Sequence, residues 1–394
     1  MKFQNWCTIG ICCLLIQCFL FAGSPQKAIA LKDIYKTGEI EFVTVLKITK
    51  ESVPADIPFK QMFSMCQINH RLYVLDPLCS NIKIFTTDGH FLKAFAKKGS
   101  SESELNAPNC MNVIDGQLVV WENGNRRFSI FNADGAFKHT LQPFKKGFVE
   151  NFGSLGNGNL VIERTSYASI GDDVYKSVLI ELYSKNFQLI KVLYKKEVLV
   201  YRLFKTPEKK LVYLPFQPEV SWHILTSIDG KNSNKLVIGC SDAYSIDIID
   251  TGTGITRTFT HPYSPVKVNE ADRNQHFNFF MRSDEEGNYI QGSDRFTIDN
   301  TTFPEYKPVF KWLTTDYEGT ILVFTFTGSD NGKNRYNATE FDAFDSDGQF
   351  INHVKIAHDA EIPILRLFSE KDHIFWGHSA ENVMPRGLTK YTVN

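Results

Sequence analysis

The sequence predicts an all-β chain: a six-bladed β-propeller of four-stranded antiparallel blades, closed by an N-terminal strand and carrying one helical insertion between the fourth and fifth blades. Three observations predict it. A strand, strand, turn, strand pattern recurs about every 40 to 50 residues, the length of a propeller blade. Asp-Gly pairs stand between alternating apolar runs, where a hairpin turn needs positive φ. The last repeat lacks an outer strand, while residues 39–46 form a strand with no repeat of its own.

The chain opens with Met1-Lys2 and a nearly uncharged apolar stretch from Trp6 to Ala22, too short for a comfortable membrane span, followed by Gly23-Ser24-Pro25. This is the layout of a secretory signal peptide. Ala28-Ile29-Ala30 offers small residues for cleavage after Ala30, which gives a signal over residues 1–30 and a single propeller domain over 31–394. An uncleaved anchor is the other reading of the same stretch, because Lys2 is its only early charged side chain. A lipoprotein signal would need a small residue before its cysteine, and Gln17 precedes Cys18. The predicted location is periplasmic or extracellular.

The first two repeats are the clearest. Leu72-Tyr73-Val74-Leu75-Asp76 leads to Asn81-Ile82-Lys83-Ile84-Phe85, then Asp88-Gly89. Leu118-Val119-Val120-Trp121-Glu122 leads to Arg127-Phe128-Ser129-Ile130-Phe131, then Asp134-Gly135. Weaker copies begin at Leu160, Leu236 and Ile321, and a partial one runs from His373 to Trp376. An apolar strand such as Cys110 to Ile114 precedes each. Lending the 39–46 strand to the last repeat closes the ring and removes exposed edges. Two stretches break the period: 198–220, with Pro207, Pro215 and Pro218, is expected as a crossing segment, and 261–308 is the insertion, with a helix expected over 266–282.

These residues resemble NHL-type and TolB-type propellers, and more closely the exported six-bladed propellers common in Bacteroidetes. Phe95-Ala96-Lys97-Lys98-Gly99 with Glu104-Leu105 and Pro108, the 264–282 break and helix, and Phe303-Pro304-Glu305-Tyr306-Lys307-Pro308 carry the resemblance. The chain departs from that pattern at Ser100-Ser101-Glu102-Ser103, where a glycine-rich loop is expected, and at Ile321-Leu322-Val323-Phe324, where a Trp is usual. The resemblance implies fold and export; most such proteins have no assigned activity. Lactonase-type propellers hold a divalent metal with acids from different blades, so it also implies the alternative of a metal-dependent hydrolase or lyase, with Asp76, Glu122 and Glu163 as first candidate ligands.

The composition excludes some classes. Lys and Arg number 43 against 44 Asp and Glu, which leaves no basic footprint for nucleic acid. Of eight cysteines, Cys7, Cys12, Cys13 and Cys18 fall in the leader; among Cys66, Cys79, Cys110 and Cys240, the pair Cys66 and Cys110 occupies nearly equivalent places on adjacent inner strands and is the candidate disulfide. His353 with His358, and His373 with His378, are out of phase for chelation on a strand. No HExxH helix, zinc-spaced cysteines, phosphate loop or nucleophile elbow is present. Asp345-Ser346-Asp347-Gly348 and the Gly153 to Gly158 stretch both read as turns. The acids ending the second strands are expected to accept hydrogen bonds from turn amides. No catalytic residue, cofactor or resident metal is predicted. The expected role is non-enzymatic binding of a protein, peptide or glycan, at a face near the channel mouth and the insertion, where Tyr201, Trp222, His223, Phe277, Phe279 and Phe280 are the aromatic candidates.

Overall fold

The computed structural model describes residues 29–204, 210–226, 232–280, 295–326, 339–357, 367–370, 374–381 and 384–393. The expected signal segment, residues 1–30, lies outside them except for its last two residues. Among the described residues no helix is long and apolar enough to cross a membrane.

A short helix α1 (Leu31–Tyr35) and strand β1 (Glu39–Ile48) open the fold. Four antiparallel strands follow, β2 (Ser64–Ile68), β3 (Arg71–Asp76), β4 (Asn81–Thr86) and β5 (Phe91–Phe95), then four more, β6 (Pro108–Ile114), β7 (Gln117–Glu122), β8 (Arg127–Phe131) and β9 (Phe137–Leu141). The third sheet has five: β10 (Phe148–Ser154), β11 (Leu160–Ile170), β12 (Asp173–Tyr183), β13 (Leu189–Leu203) and β14 (Leu211–Tyr213). The fourth is β15 (Val220–Thr226), β16 (Asn232–Cys240), β17 (Ser245–Asp250) and β18 (Thr256–Thr260). After helices α2 (Glu270–Phe280) and α3 (Arg295–Asn300) come β19 (Phe310–Thr315), β20 (Ile321–Thr325), β21 (Glu340–Phe344), β22 (Phe350–Ala357), β23 (Leu367–Glu370), β24 (Ile374–Glu381) and β25 (Met384–Val393). The chain is thus all-β, with several four-stranded antiparallel sheets in sequence.

Burial follows position within the sheet. In the first sheet β2 alternates, β3 and β4 are buried on both faces, and β5 is largely open. A strand buried on both faces needs apolar cover on each side, and successive sheets supply it to one another. Tyr73, Leu75, Ile82 and Ile84 of the first sheet pack on Met111, Leu118, Val120 and Phe131 of the second. The other faces of the second sheet, through Cys110, Val119, Trp121 and Phe128, meet Phe152, Leu160 and Ile162 of the third. Similar clusters join the third sheet to the fourth and the fourth to β19–β21. Leu72, Val74 and Phe85 of the first sheet share a cluster with Ile48, Trp376 and Leu388. Inner strands are also stitched by serine: Ser64 Oγ donates to the Met111 carbonyl at 3.1 Å and accepts its amide at 3.2 Å, and Ser221 Oγ does the same with Leu313 at 3.1 and 3.0 Å.

β1 has two partners. Residues 39–41 run parallel to β22, whereas Phe42 to Ile48 run antiparallel to β25. Phe42 sets its ring edge-on to Phe375 at 5.2 Å and Tyr391 at 5.8 Å. The Asp-Gly turns show a related regularity. Gly135, at φ +77°, leaves no room for a Cβ against Phe95 of β5, and Gly348, at φ +80°, leaves none against Phe259 of β18. In each case the turn rests on the outer strand of the preceding sheet. Gly89, at φ +83°, rests in the same way on Leu46 of β1.

The structure departs from the sequence reading in three places. The proline-bearing 198–220 stretch is not all crossing segment, because β13 continues to Leu203 and β14 returns beside it; Pro215 and Pro218 lie beyond β14, where no ladder amide is needed. The insertion helix begins at Glu270 rather than near Val266, since Val268 donates its amide to the Glu305 carbonyl at 3.0 Å in an extended pairing. Cys66 and Cys110 are separate buried thiols. Cys66 and Cys110 both lie on the side of their sheets that faces the next one, so Cys66 enters the core between the first two sheets and Cys110 the core between the second and third.

Helix α1 is anchored by Tyr35, whose hydroxyl donates to Asp316 Oδ2 at 3.1 Å beneath the β19–β20 turn. Oδ1 of the same carboxyl accepts the amides of Glu318 and Thr320 at 2.9 and 2.8 Å. Burial raises Asp316 from its ordinary 3.8 to about 7.

Two outcomes follow from this packing. Phe42→Ala should cost about 3–5 kcal/mol of stability, the usual range for a buried Phe, measured by urea unfolding of the mature chain. Because the folded Asp316 carboxyl holds its proton more tightly than the unfolded one, its contribution is fully present below pH 3.8 and is lost as pH rises to about 7. Denaturation midpoints compared at pH 4, 5.5 and 8 should show a downward step that Asp316→Asn removes.

Candidate functional site

The strand-end acids come first. Lys83, Ser129, Glu181, Asp247, Asp342 and Lys390 each stand on a strand directly across from the third apolar residue of its neighbour: Val74, Val120, Ile162, Ile238, Val323 and Trp376. Every repeat therefore places a polar side chain at one place between apolar neighbours, and a buried polar group must find a partner there. Lys83, fully buried, donates to Asp76 Oδ2 at 3.0 Å. Asp76 also accepts the amides of Lys60 and Cys79 at 2.8 and 3.0 Å. Burial lowers the Lys83 pKa, and the Asp76 carboxylate opposes that shift.

Glu122 is enclosed in the same manner, accepting from Arg127 Nε at 2.8 Å, Ser129 Oγ at 2.5 Å, Asn125 Nδ2 at 2.7 Å and the Asn106 amide at 2.7 Å. The third sheet inverts the pair. Arg164 takes the place of the acid and donates to Glu181 at 2.6 Å, with Tyr183 as a further donor at 2.8 Å. In the fifth repeat Asp342 accepts from Tyr244 at 2.5 Å, and its Oδ1 lies 2.7 Å from His353 Nδ1. Asp76 and Glu122 thus sit in separate sheets with donors on both oxygens. Glu163, one residue short of the equivalent position, points elsewhere: its Oε2 accepts from Trp222 Nε1 at 2.9 Å. Among the described residues no three His, Cys, Asp or Glu side chains are grouped to hold a metal ion.

Glu163 belongs to a different assembly. β11 and β12 are 11 residues each and β13 is 15, against 6, 5 and 5 for β7, β8 and β9, so these three strands extend the third sheet as a tongue. The turn at its tip places Gly171 at φ +65°. On one face of the tongue Tyr167 stands across from Lys176, Lys176 from Val198, Val174 from Tyr201, and Tyr201 from Tyr213. At the base Thr165 Oγ1 donates to Glu150 at 2.9 Å. Lys176 is partly buried, yet its pKa is raised: desolvation pulls it down and is outweighed by the fields of Glu163, Glu150, Tyr167 and Glu219. The ammonium stays charged inside a rim of carboxylates.

Aromatic rings continue this face toward the insertion. Phe148 meets Tyr167 at 6.4 Å, Tyr167 meets Tyr201 at 6.3 Å, Tyr201 meets Tyr213 at 5.7 Å, and Tyr213 stacks on His276 of α2 at 6.3 Å. His276 then meets Phe303 at 5.3 Å. Helix α2 is held down by an ion pair of 2.8 Å between Asp272 and Lys307, whose side chains are 3% and 2% exposed. The Lys307 amide donates to the Val266 carbonyl at 2.8 Å, and the Arg273 guanidinium lies 4.7 Å over Phe303. These contacts tie the start of α2 to the returning segment at residues 303–307.

Of the aromatic candidates, Tyr201 lies in this row, Phe277 packs on Phe303 at 5.6 Å, and Trp222 packs between sheets while binding Glu163. His223 is held 2.7 Å from Thr315 Oγ1, and burial lowers its pKa. The side chains of Phe279 and Phe280 lie outside the described residues, as do His358, His373 and the side chain of His378. Asp345 caps its own turn, accepting the amides of Asp347 and Gln349 at 3.0 and 2.9 Å, and Gly158 takes the positive φ of a turn. Tyr167, Lys176, Tyr213 and Glu150 were not singled out from sequence; the alternation Thr165, Tyr167, Ser169 was the available signal.

No protein-family model matches the chain, and no curated protein matches it. Solved structures similar to it include a Bacteroides fragilis protein described as exported, with 10% identity and a TM-score of 0.49 over 90% of this chain and 95% of that one. Regucalcin, a calcium-binding protein from Agrobacterium tumefaciens, is 11% identical with a TM-score of 0.46, over 89% of this chain and 94% of its own. Virginiamycin B lyase from Staphylococcus aureus is 10% identical with a TM-score of 0.44, over 90% and 99%.

The enclosed acids give a direct expectation. Lys83→Met leaves the Asp76 carboxylate buried without its cation and should destabilise by about 3–5 kcal/mol, whereas the double change Asp76→Asn with Lys83→Met should recover much of that loss. Chemical denaturation of both variants measures it.

Proposed function

We propose that this chain is an exported, non-enzymatic binding module: a single six-bladed propeller closed by its N-terminal strand, whose ligand face is the aromatic row joining the third-sheet tongue to helix α2. The six apolar clusters, one of them shared by the first and last repeats, support the six-membered ring. The place of Leu46 beneath the Gly89 turn, where Phe95 and Phe259 stand beneath theirs, supports closure by β1. The apolar leader and its small-residue end support export.

The observation that carries the binding reading is the row of rings from Phe148 and Tyr167 through Tyr201 and Tyr213 to His276 of α2, with Lys176 directly across from Tyr167. Recesses lined by aromatic side chains with a few fixed polar groups are the usual form of a ligand site. Reactive chemistry needs something further: a nucleophile beside a base, or acids free to take a metal. Asp76 and Glu122, the acids first placed for such a role, instead complete the packing between sheets.

The mature protein, purified gently, should carry no stoichiometric metal and turn over no lactone or ester with added calcium, zinc or manganese. Elemental analysis and a substrate panel test this; one metal per chain together with metal-dependent turnover overturns the reading.

A further inference from the structure

We propose that the chain self-associates through the open edge of β11, residues 166–170, which pairs antiparallel with the same five residues of a second copy about a two-fold axis at Ala168. The inference goes beyond the binding reading, which concerns a face of these strands rather than their edge. β10 covers β11 from Leu160 to Thr165, where Phe148 is its last partner, and β12 covers the other side throughout. Among the described residues, Ser166 to Ile170 therefore have a ladder partner on one side only, and all five are exposed. Such an edge offers backbone amides and carbonyls to another chain, and edges are ordinarily guarded by charge or proline. The far edge of the same sheet follows that rule: β14 pairs only with residues 201–203, and the open part of β13 carries Lys191, Lys195, Lys196 and Glu197. Ser166-Tyr167-Ala168-Ser169-Ile170 carries neither charge nor proline.

A second copy is the occupant that this edge fits, because the segment is complementary to itself. In antiparallel register about Ala168, Tyr167 of one copy stands opposite Ser169 of the other, and Ile170 opposite Ser166. Each large side chain thus meets a small one, at the spacing where cross-strand neighbours pack. Tyr167 and Ile170, 46% and 65% exposed, gain cover by it. The length fits as well. Gly171, at φ +65°, turns the incoming strand away where Phe148 opens β10, and Gly147, at φ +85°, ends the resident ladder at the same level. Beside these turns the charges are opposite: Asp172 is exposed at the tip, and Lys145 and Lys146 are exposed just before Gly147. The two-fold axis makes every one of these contacts twice, as a closed dimer requires.

Sedimentation velocity of the full mature chain over about 1–200 µM should show a monomer–dimer equilibrium, a weak one because so short a contact is smaller than a standard interface. Ala168→Lys and Ala168→Glu each set like charges directly opposite one another across the axis. Each should raise the dimer dissociation constant at least tenfold with an unchanged melting temperature, since Ala168 is exposed and outside the sheet-to-sheet cores. Mixing the two variants should restore the dimer, because the two new charges are then opposite in sign. Ile255→Lys, at a side chain 66% exposed beside β18, should leave the equilibrium of the unaltered chain intact. A monomer at every concentration, a dimer indifferent to both substitutions at Ala168, or a loss that mixing does not repair overturns the proposal. A chain that stays monomeric, binds peptides of a tryptic casein digest and loses them on Ala168→Lys would also overturn it, assigning the edge to foreign strands.

Discussion

The structure depends on one constraint: the middle strands of each repeat are buried on both faces, so no sheet can stand without a neighbour on either side. Leu72 and Val74 look one way, toward Trp376 and Leu388, while Tyr73 and Leu75 look the other, toward Val120 and Phe131. A linear stack would leave its first and last sheets each with a bare apolar face. Here the first repeat meets the last. β1 contributes to that meeting twice, by backbone pairing with β25 and through Ile48 in the shared cluster.

The same burial makes the recurrent polar position costly. An unpaired ammonium or carboxylate between two packed sheets is strongly destabilising, while a paired and hydrogen-bonded one is roughly neutral. The chain meets this differently in each repeat: Lys83 with Asp76, Ser129 and Arg127 with Glu122, Arg164 with Glu181, His353 and Tyr244 with Asp342. Each partner comes from the same sheet or the next one, so the ion pairs fix register within a repeat and contact between repeats. This is why acids that look like ligands in sequence are already committed.

Two additions exceed the repeat. The tongue lengthens three strands of the third sheet, and the insertion departs and returns between the fourth sheet and β19. The buried Asp272–Lys307 pair and the extended contact of Val266 and Val268 with residues 305–307 clamp the insertion at its neck, which brings His276 onto Tyr213. The aromatic row thus joins the two irregular additions to one another.

Residues alone determined the strand order, the Asp-Gly turns and the spare N-terminal strand, because hairpin pairing is local and its period of two is written in the alternation of side chains. They also determined that Asp345 and Gly158 belong to turns. What only the tertiary structure decided are relations across sheets. Cys66 and Cys110 look equivalent in sequence, and because both lie on the same side of their sheets one thiol enters the core between the first and second sheets and the other the core between the second and third. Glu163 looks equivalent to Asp76 and Glu122, yet it stands one residue early, and Arg164 takes the charged position with opposite sign. Tyr167, Lys176, Tyr213 and His276 lie on four separate elements spread over more than a hundred residues. No local pattern could unite them, because their proximity arises from how far the tongue rises and where a buried ion pair sets the helix.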